Sequence, residues 1–181
     1  MSLQLSTFSA MVISDSIMSI INKIIFNPDN VDLKFCEKVE LLEKEFLLLD
    51  QVEIPVSHEF ANGMYVRQIT IPKGTLAISA YHKFGQFDIM LTGRMSIITD
   101  EGISEIVAPY CKMSNHGLKR FGYAYEDTIW MDVRPLQEMP VDEAEKFLFT
   151  DSYKELCAFE AEYGISNTII PSLCAPVVAY I

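Results

Sequence analysis

A chain of 181 residues, half of them hydrophobic, is long enough for one domain around a sizeable core. Its formal net charge of −11, from 25 acidic against 14 basic residues, argues against any partner held by phosphate neutralisation. No nucleic-acid polymer is therefore expected, and no anionic membrane surface.

The first element expected is an amphipathic helix over residues 11–26. Ile17, Ile20, Ile21, Ile24 and Ile25 recur at helical spacing. Ser14, Asp15, Ser16, Ser19, Asn22 and Lys23 interrupt the apolar run, so it is no membrane span. It also lacks the basic start and small-residue cleavage site of a secretory signal. Asn27, Pro28, Asp29 and Asn30 form a turn cluster. A second helix follows over residues 32–49, with Phe35, Val39, Leu42, Phe46 and Leu49 on one stripe. Leu41, Leu47 and Leu48 widen its apolar surface, as a homodimer partner would require.

Pro55 and Asn62-Gly63 break this pattern. Short strands are then expected over residues 64–71, 75–81, 87–91, 95–99, 103–108, 110–114, 119–123 and 128–133. Glycine-containing turns separate several of them. Many short strands at near-regular spacing predict a closed or sandwiched antiparallel β fold. After Pro135 and Pro140, helices are expected over residues 142–149 and 152–163. Ser152 and Glu155 have the form of a capping box. Residues 166–181 are apolar, with two prolines, and are expected to lie extended against the body. The organisation read from the chain is a helical extension (1–50), a β-barrel (51–135), and C-terminal helices with a tail (136–181).

Cys36, Cys111, Cys157 and Cys174 form no Cys-x-x-Cys pair. They read as buried, reduced thiols of a cytoplasmic protein, not as a zinc or redox motif.

Ile71-Pro-Lys-Gly74, His82-Lys83, Gly93-Arg94, Asp100-Glu101-Gly102, Ala108-Pro-Tyr110, Lys119-Arg120 and Gly122-Tyr-Ala-Tyr-Glu-Asp-Thr-Ile-Trp130 follow one another in this order. These motifs resemble those of small cupin-like proteins met mostly in bacteriophage and prophage genomes. The resemblance covers residues 51–133, and its most specific part is Glu126 to Trp130. It implies a mainly β fold with flanking helices: a cupin-like antiparallel jelly-roll barrel, often dimeric. It implies no single activity, because one fold hosts many chemistries.

A metal cupin takes two histidines and an acid from its first motif and a further histidine from its second. The resemblance places the first set on His82, Phe84 and Asp88, so one histidine is missing and the acid is shortened. Phage relatives tend to carry a histidine where this chain has Gln86. The second-motif histidine falls near Lys119 or Arg120. Only His82 and Asp88 remain as metal candidates, and a firm site needs three or four convergent donors. A divalent metal therefore has an incomplete ligand set, and the cofactor is left unassigned. The bland reading of His82 is a hydrogen-bonded strand residue.

The barrel segment also gathers Arg67, Lys83, Arg94, Lys119 and Arg120, with Tyr81, Tyr123 and Tyr125 among several tyrosines. Arginine forks suit carboxylate or phosphate, and aromatic faces suit sugars and bases. Alternation alone does not say which strand face is inside, so solvated surface charges are the competing reading. The expectation is a non-catalytic binder of a polar or anionic small molecule, using Arg67, Tyr81, His82, Lys83, Gln86, Arg94, Lys119, Arg120, Tyr123 and Tyr125. In a phage setting it would sequester a host metabolite or signal. The alternatives are a metal-dependent isomerase or dioxygenase, and a structural or virion-associated oligomer.

Overall fold

Strand periodicity dictates the layout. In Met64–Ile71 every second residue is buried, and Thr128–Pro135 repeats the pattern. The computed structural model describes residues 8–12, 15–30, 33–99 and 102–165. In chain order these form β1 (Phe8–Val12), α1 (Asp15–Ile24), a 3-10 turn (Pro28–Asn30) and α2 (Phe35–Phe46). The strands β2 (Val56–Ala61), β3 (Met64–Ile71), β4 (Thr75–Ser79), β5 (Tyr81–His82), β6 (Gln86–Thr92) and β7 (Arg94–Thr99) follow. Next come β8 (Gly102–Val107), β9 (Tyr110–Ser114), β10 (Phe121–Ala124) and β11 (Thr128–Pro135). The chain continues through α3 (Val141–Leu148), β12 (Phe149–Thr150) and α4 (Tyr153–Tyr163).

Two five-stranded sheets face each other, one ordered β1-β4-β10-β7-β8 and the other β2-β3-β11-β6-β9. Leaving aside the edge strands β1 and β2, the chain passes between the sheets in the order of two interlocked Greek keys. All the pairings are antiparallel. That connectivity defines a jelly roll, and the expected fold class holds.

Three local expectations are corrected. The segment before residue 51 is not purely helical: Phe8–Val12 pair with β4, and the helix begins at Asp15. Asn62-Gly63 is a hairpin turn, not a break. Both residues take positive φ, as a two-residue turn between twisted strands requires, and β2 pairs with β3 across it. The capping box at α4 is half formed. Ser152 Oγ accepts from the Glu155 amide, but the Glu155 carboxylate accepts from Thr150 Oγ1 at 2.5 Å. Residues 166–181, and the extended tail expected there, lie outside the described residues.

The outer faces of the two sheets differ. On the first, Leu76, Ile78 and Phe121 are buried beneath Ile21 and Ile24 of α1 and Val39, Leu42 and Phe46 of α2. Full burial of such side chains contributes about 1.5–3 kcal/mol each. On the second sheet the binary pattern is inverted. β6 turns Gln86 and Asp88 inward and Phe87, Ile89 and Leu91 outward. β11 turns Asp132 and Arg134 inward and Ile129, Met131 and Val133 outward. Phe87 is 50% exposed and Met113 of β9 55% exposed, so this apolar face is open to solvent among the described residues. Leu41, Leu47 and Leu48 at α2 are exposed as well. Cys111 and Cys157 are also exposed, which corrects the expectation of buried thiols.

Candidate functional site

The inward residues of the second sheet divide the barrel into two ends. At one end Ile69, Ile71, Met90 and Trp130 pack against Ala77, Met95 and Ala124 of the first sheet. At the other end the register sets Asp132 beside both Arg67 and Asp88, and Arg134 beside Tyr65. Gln86 pairs with Ser114 across β6 and β9. β5 brings His82 to the same end, pinned by its pairing with Phe149 of β12.

These polar groups bond to one another. Gln86 Nε2 donates to Asp88 Oδ1 at 2.6 Å and to Asp132 Oδ1 at 2.9 Å. Its Oε1 lies 2.5 Å from His82 Nδ1. An amide that spends its N–H groups on carboxylates has only its oxygen left for the imidazole, so His82 Nδ1 carries the proton and Nε2 does not. Arg134 Nη2, 3.3 Å from the same Nδ1, is then a packing neighbour, not a donor to it. Arg120 Nη2 donates to Asp88 Oδ2 at 2.6 Å and to Ser114 Oγ at 2.7 Å. Ser114 Oγ also donates to Asp88 Oδ2.

A second tier supports this network. Arg67 lies 3.8 Å from Asp132 and 3.5 Å from Glu145 of α3. Arg134 lies 3.9 Å from Asp132. Both guanidiniums lie against the Phe149 ring, at 4.8 Å and 5.2 Å from its centroid. The Tyr65 hydroxyl is 2.8 Å from His58 Nδ1. Burial pushes that phenol up to about 12.

Burial also sets the charge states. It holds the His82 imidazole well below its ordinary range, helped by Arg134 and Arg120, so His82 is neutral. It pushes the Asp132 carboxyl up to about 6 against the pull of Arg67 and Arg134. Asp88 feels the same burial, but Arg120, Ser114 and Gln86 more than offset it and hold its carboxyl below the usual value.

A divalent cation does not fit this donor set. His82 and Asp88 meet through Gln86, yet Asp88 is already held by Arg120, Ser114 and Gln86. Among the described residues, no three His, Cys, Asp or Glu side chains gather to hold a metal. Three guanidiniums (Arg67, Arg120 and Arg134) supply the positive charge that balances Asp88, Asp132 and Glu145.

A cavity of about 60 Å³ joins the two ends. His82, Arg120 and Asp132 line it at the polar end, and Ile69, Met95, Ile97 and Trp130 among its apolar walls. Arg120 lies over the Trp130 face, 6.0 Å from the ring centroid.

Of the residues singled out in the sequence, the structure brings Arg67, His82, Gln86, Asp88 and Arg120 to this end of the barrel. It places the others elsewhere. Lys119 is buried outside the barrel, 2.6 Å from Glu43 of α2 and over the Tyr81 ring. The Tyr81 hydroxyl reaches Cys36 O and Glu40, so this pair clamps α2 to the barrel. Lys83 Nζ donates to Lys146 O on an exposed surface. Arg94 stacks on Tyr125 beside Glu105 and Glu126, and Tyr123 packs against the helix-covered face. Sequence reasoning missed Ser114, Asp132, Arg134 and Glu145. Asp132 and Arg134 share the two-residue period of Thr128 and Trp130, and that was the available signal.

No family model matches the sequence, and no curated protein matches it. Solved structures similar to the chain include an RmlC-like cupin with a double-stranded β-helix fold from Methanocaldococcus jannaschii. It is 13% identical, with 49% of this chain and 84% of that one covered and a TM-score of 0.40. A cupin domain from Bordetella pertussis is 12% identical, covering 48% and 97%, with a TM-score of 0.39. An acetylacetone dioxygenase from Acinetobacter johnsonii is 15% identical, covering 45% of this chain, with a TM-score of 0.39. The chain spans 59% of that dioxygenase's length. At such values the likeness carries no activity across, and the jelly roll stands on the strand order itself. No helix among the described residues is long and apolar enough to cross a membrane.

Proposed function

We propose that this protein is a non-catalytic jelly-roll barrel that binds a small polar or anionic molecule between its sheets. The observation that carries the reading is the cavity lined by His82, Arg120 and Asp132 at one end and by apolar side chains along its walls. A neutral imidazole and a guanidinium held in place by Asp88 and Ser114 form a pre-organised polar end, and a rigid end loses little freedom on binding. The metal-dependent alternative is disfavoured because the donors it needs are committed to arginines and Gln86. A bacteriophage setting and the sequestering of a host metabolite rest on the motif resemblance alone, so the proposal stops at binding. A thermal-shift panel of small anions and sugars tests it. At least one class should raise the melting temperature in a saturable way, and a flat response across the panel would sink the reading.

The partner we propose is a second copy of the chain, seated on the open face of the second sheet. Four strands of that face, five residues each, cover roughly 14 by 17 Å at ordinary strand spacings. A patch of that size matches the apolar centre of a standard interface, whose polar rim completes about 800 Å² per partner. Sedimentation should give a dimer that Phe87→Asp dissociates with the fold intact. A monomeric wild-type protein would refute it.

A further inference from the structure

The chemistry of the cavity points to one ligand class, on the footing that the barrel binds a ligand at all. We propose that it takes a short aliphatic monocarboxylate, with its head on Arg120 and its tail against Trp130, and that Asp132 takes up a proton as the ligand enters.

The head-group assignment follows from the lining. Arg120 is the cation on the cavity wall. It spends Nη2 on Asp88 and Ser114, while its Nε and Nη1 bond nothing among the described residues. With Nη2 engaged the fork is not open for a bidentate pair, and the spare Nε and Nη1 offer single charge-assisted N–H bonds that suit a compact anionic head such as a carboxylate. The tail assignment follows from the opposite wall. The side chains of Ile69, Ile71, Met95 and Ile97 offer a second polar group on the ligand no partner there. Burying one unpaired would cost it roughly 1–3 kcal/mol. A diacid or a sugar, with polar groups at both ends, fits this aliphatic wall poorly. The volume of about 60 Å³ limits the tail to a few carbons.

The proton follows from charge balance. Three guanidiniums already face three carboxylates in this end of the barrel, so one further anion leaves a net negative charge in a buried place. Asp88 is held ionised by Arg120. Asp132 faces Arg67 from β3, Arg134 from its own strand, Gln86 and Asp88 from β6, and Arg120 from the loop before β10. Burial already lifts its carboxyl to about 6, and another anion nearby lifts it further. The acid and the proton therefore enter together, and affinity rises as pH falls. One proton taken up corresponds to at most tenfold per pH unit.

Trp130 is the chain's single tryptophan and lines the cavity, so its fluorescence reports occupancy directly. The experiment titrates the full chain with acetate, butyrate, hexanoate and octanoate, and with butanol and butyramide as neutral mimics, from about pH 8 to about pH 6.5. The expected result is saturable, with an optimum below octanoate and carboxylates at least tenfold tighter than the mimics. Binding should tighten several-fold per pH unit downward. Arg120→Gln should erase the preference for carboxylates. Asp132→Asn should still bind but lose the pH dependence, and circular dichroism checks that both variants fold. If the neutral mimics bind as well as butyrate, the carboxylate assignment is overturned while binding stands. If carboxylates bind with no pH dependence, proton uptake at Asp132 is overturned. If nothing in this series perturbs Trp130, this inference falls, and the binding reading falls with it only if the thermal-shift panel of anions and sugars is flat as well.

Discussion

β3 and β11 run the length of the barrel, and each changes character halfway. At one end Ile69, Ile71 and Trp130 fill the space between the sheets; at the other, on the same strands, Arg67, Asp132 and Arg134 do so. Both ends are buried to a similar degree: Arg67 is 1% exposed and Met90 0%. The apolar end stabilises the fold simply by leaving water. The polar end starts from a desolvation penalty of several kcal/mol per ion and recovers it only through geometry. Apolar residues could fill the same volume at less cost. The contrast teaches that burial alone does not account for the polar end, which is the end the proposed binding reading uses.

The sharpest way to break this contrast is to remove one partner from the polar end. Arg67→Met strips Asp132 and Glu145 of a buried counter-ion and should cost about 3–5 kcal/mol in urea unfolding. A loss under about 1 kcal/mol would mean that the network is loosely coupled. At the apolar end Met90→Ala leaves a hole where nothing is charged and should cost about 2–5 kcal/mol. That loss should be the same at every pH, unlike any loss at the polar end.

The pH response itself separates the two ends. Asp132 has a folded value raised to about 6. Over the window from its ordinary value up to that point the folded state holds more protons, so stability from this group falls as pH rises and levels off above it. The melting temperature of wild type relative to Asp132→Asn should therefore climb as pH is lowered through that window; a constant difference would refute the assignment. His82 works in the opposite sense. Its folded value is depressed, so the unfolded chain gains protons first below about 6.5, and stability from this group is lost toward acid. The smallest effect is expected at a half-exposed strand end of the barrel. Arg94 is 39% exposed beside Glu105 at 52%, and Arg94→Ala should shift stability by less than about 0.5 kcal/mol.

Much of the barrel was legible in the chain. The alternation in β3 and β11 and the stripes on α1 and α2 correspond to elements of the structure, because burial of one face imposes a period that sequence displays. β1 was hidden within an apolar run that continues into α1, and β2 behind an Asn-Gly pair read as a break. The site was half legible. His82, Gln86, Asp88, Arg67 and Arg120 are legible as candidates, but so are Arg94, Lys83, Lys119, Tyr81, Tyr123 and Tyr125, which lie away from this end of the barrel. Asp132 and Arg134 went unnamed because β11 inverts the usual rule. Its outward residues are Ile129, Met131 and Val133, so reading hydrophobic as inside would turn its charges to solvent.

The sequence by itself determined that short antiparallel strands would form, where many of them turn, and that helices would flank them. Those are local consequences of period and turn chemistry. The tertiary structure alone decided which strand face is inside, and hence which charges meet. A period of two marks two faces without ranking them. The meeting of Asp132 with Arg67 and Gln86 depends on registers between strands far apart in the chain.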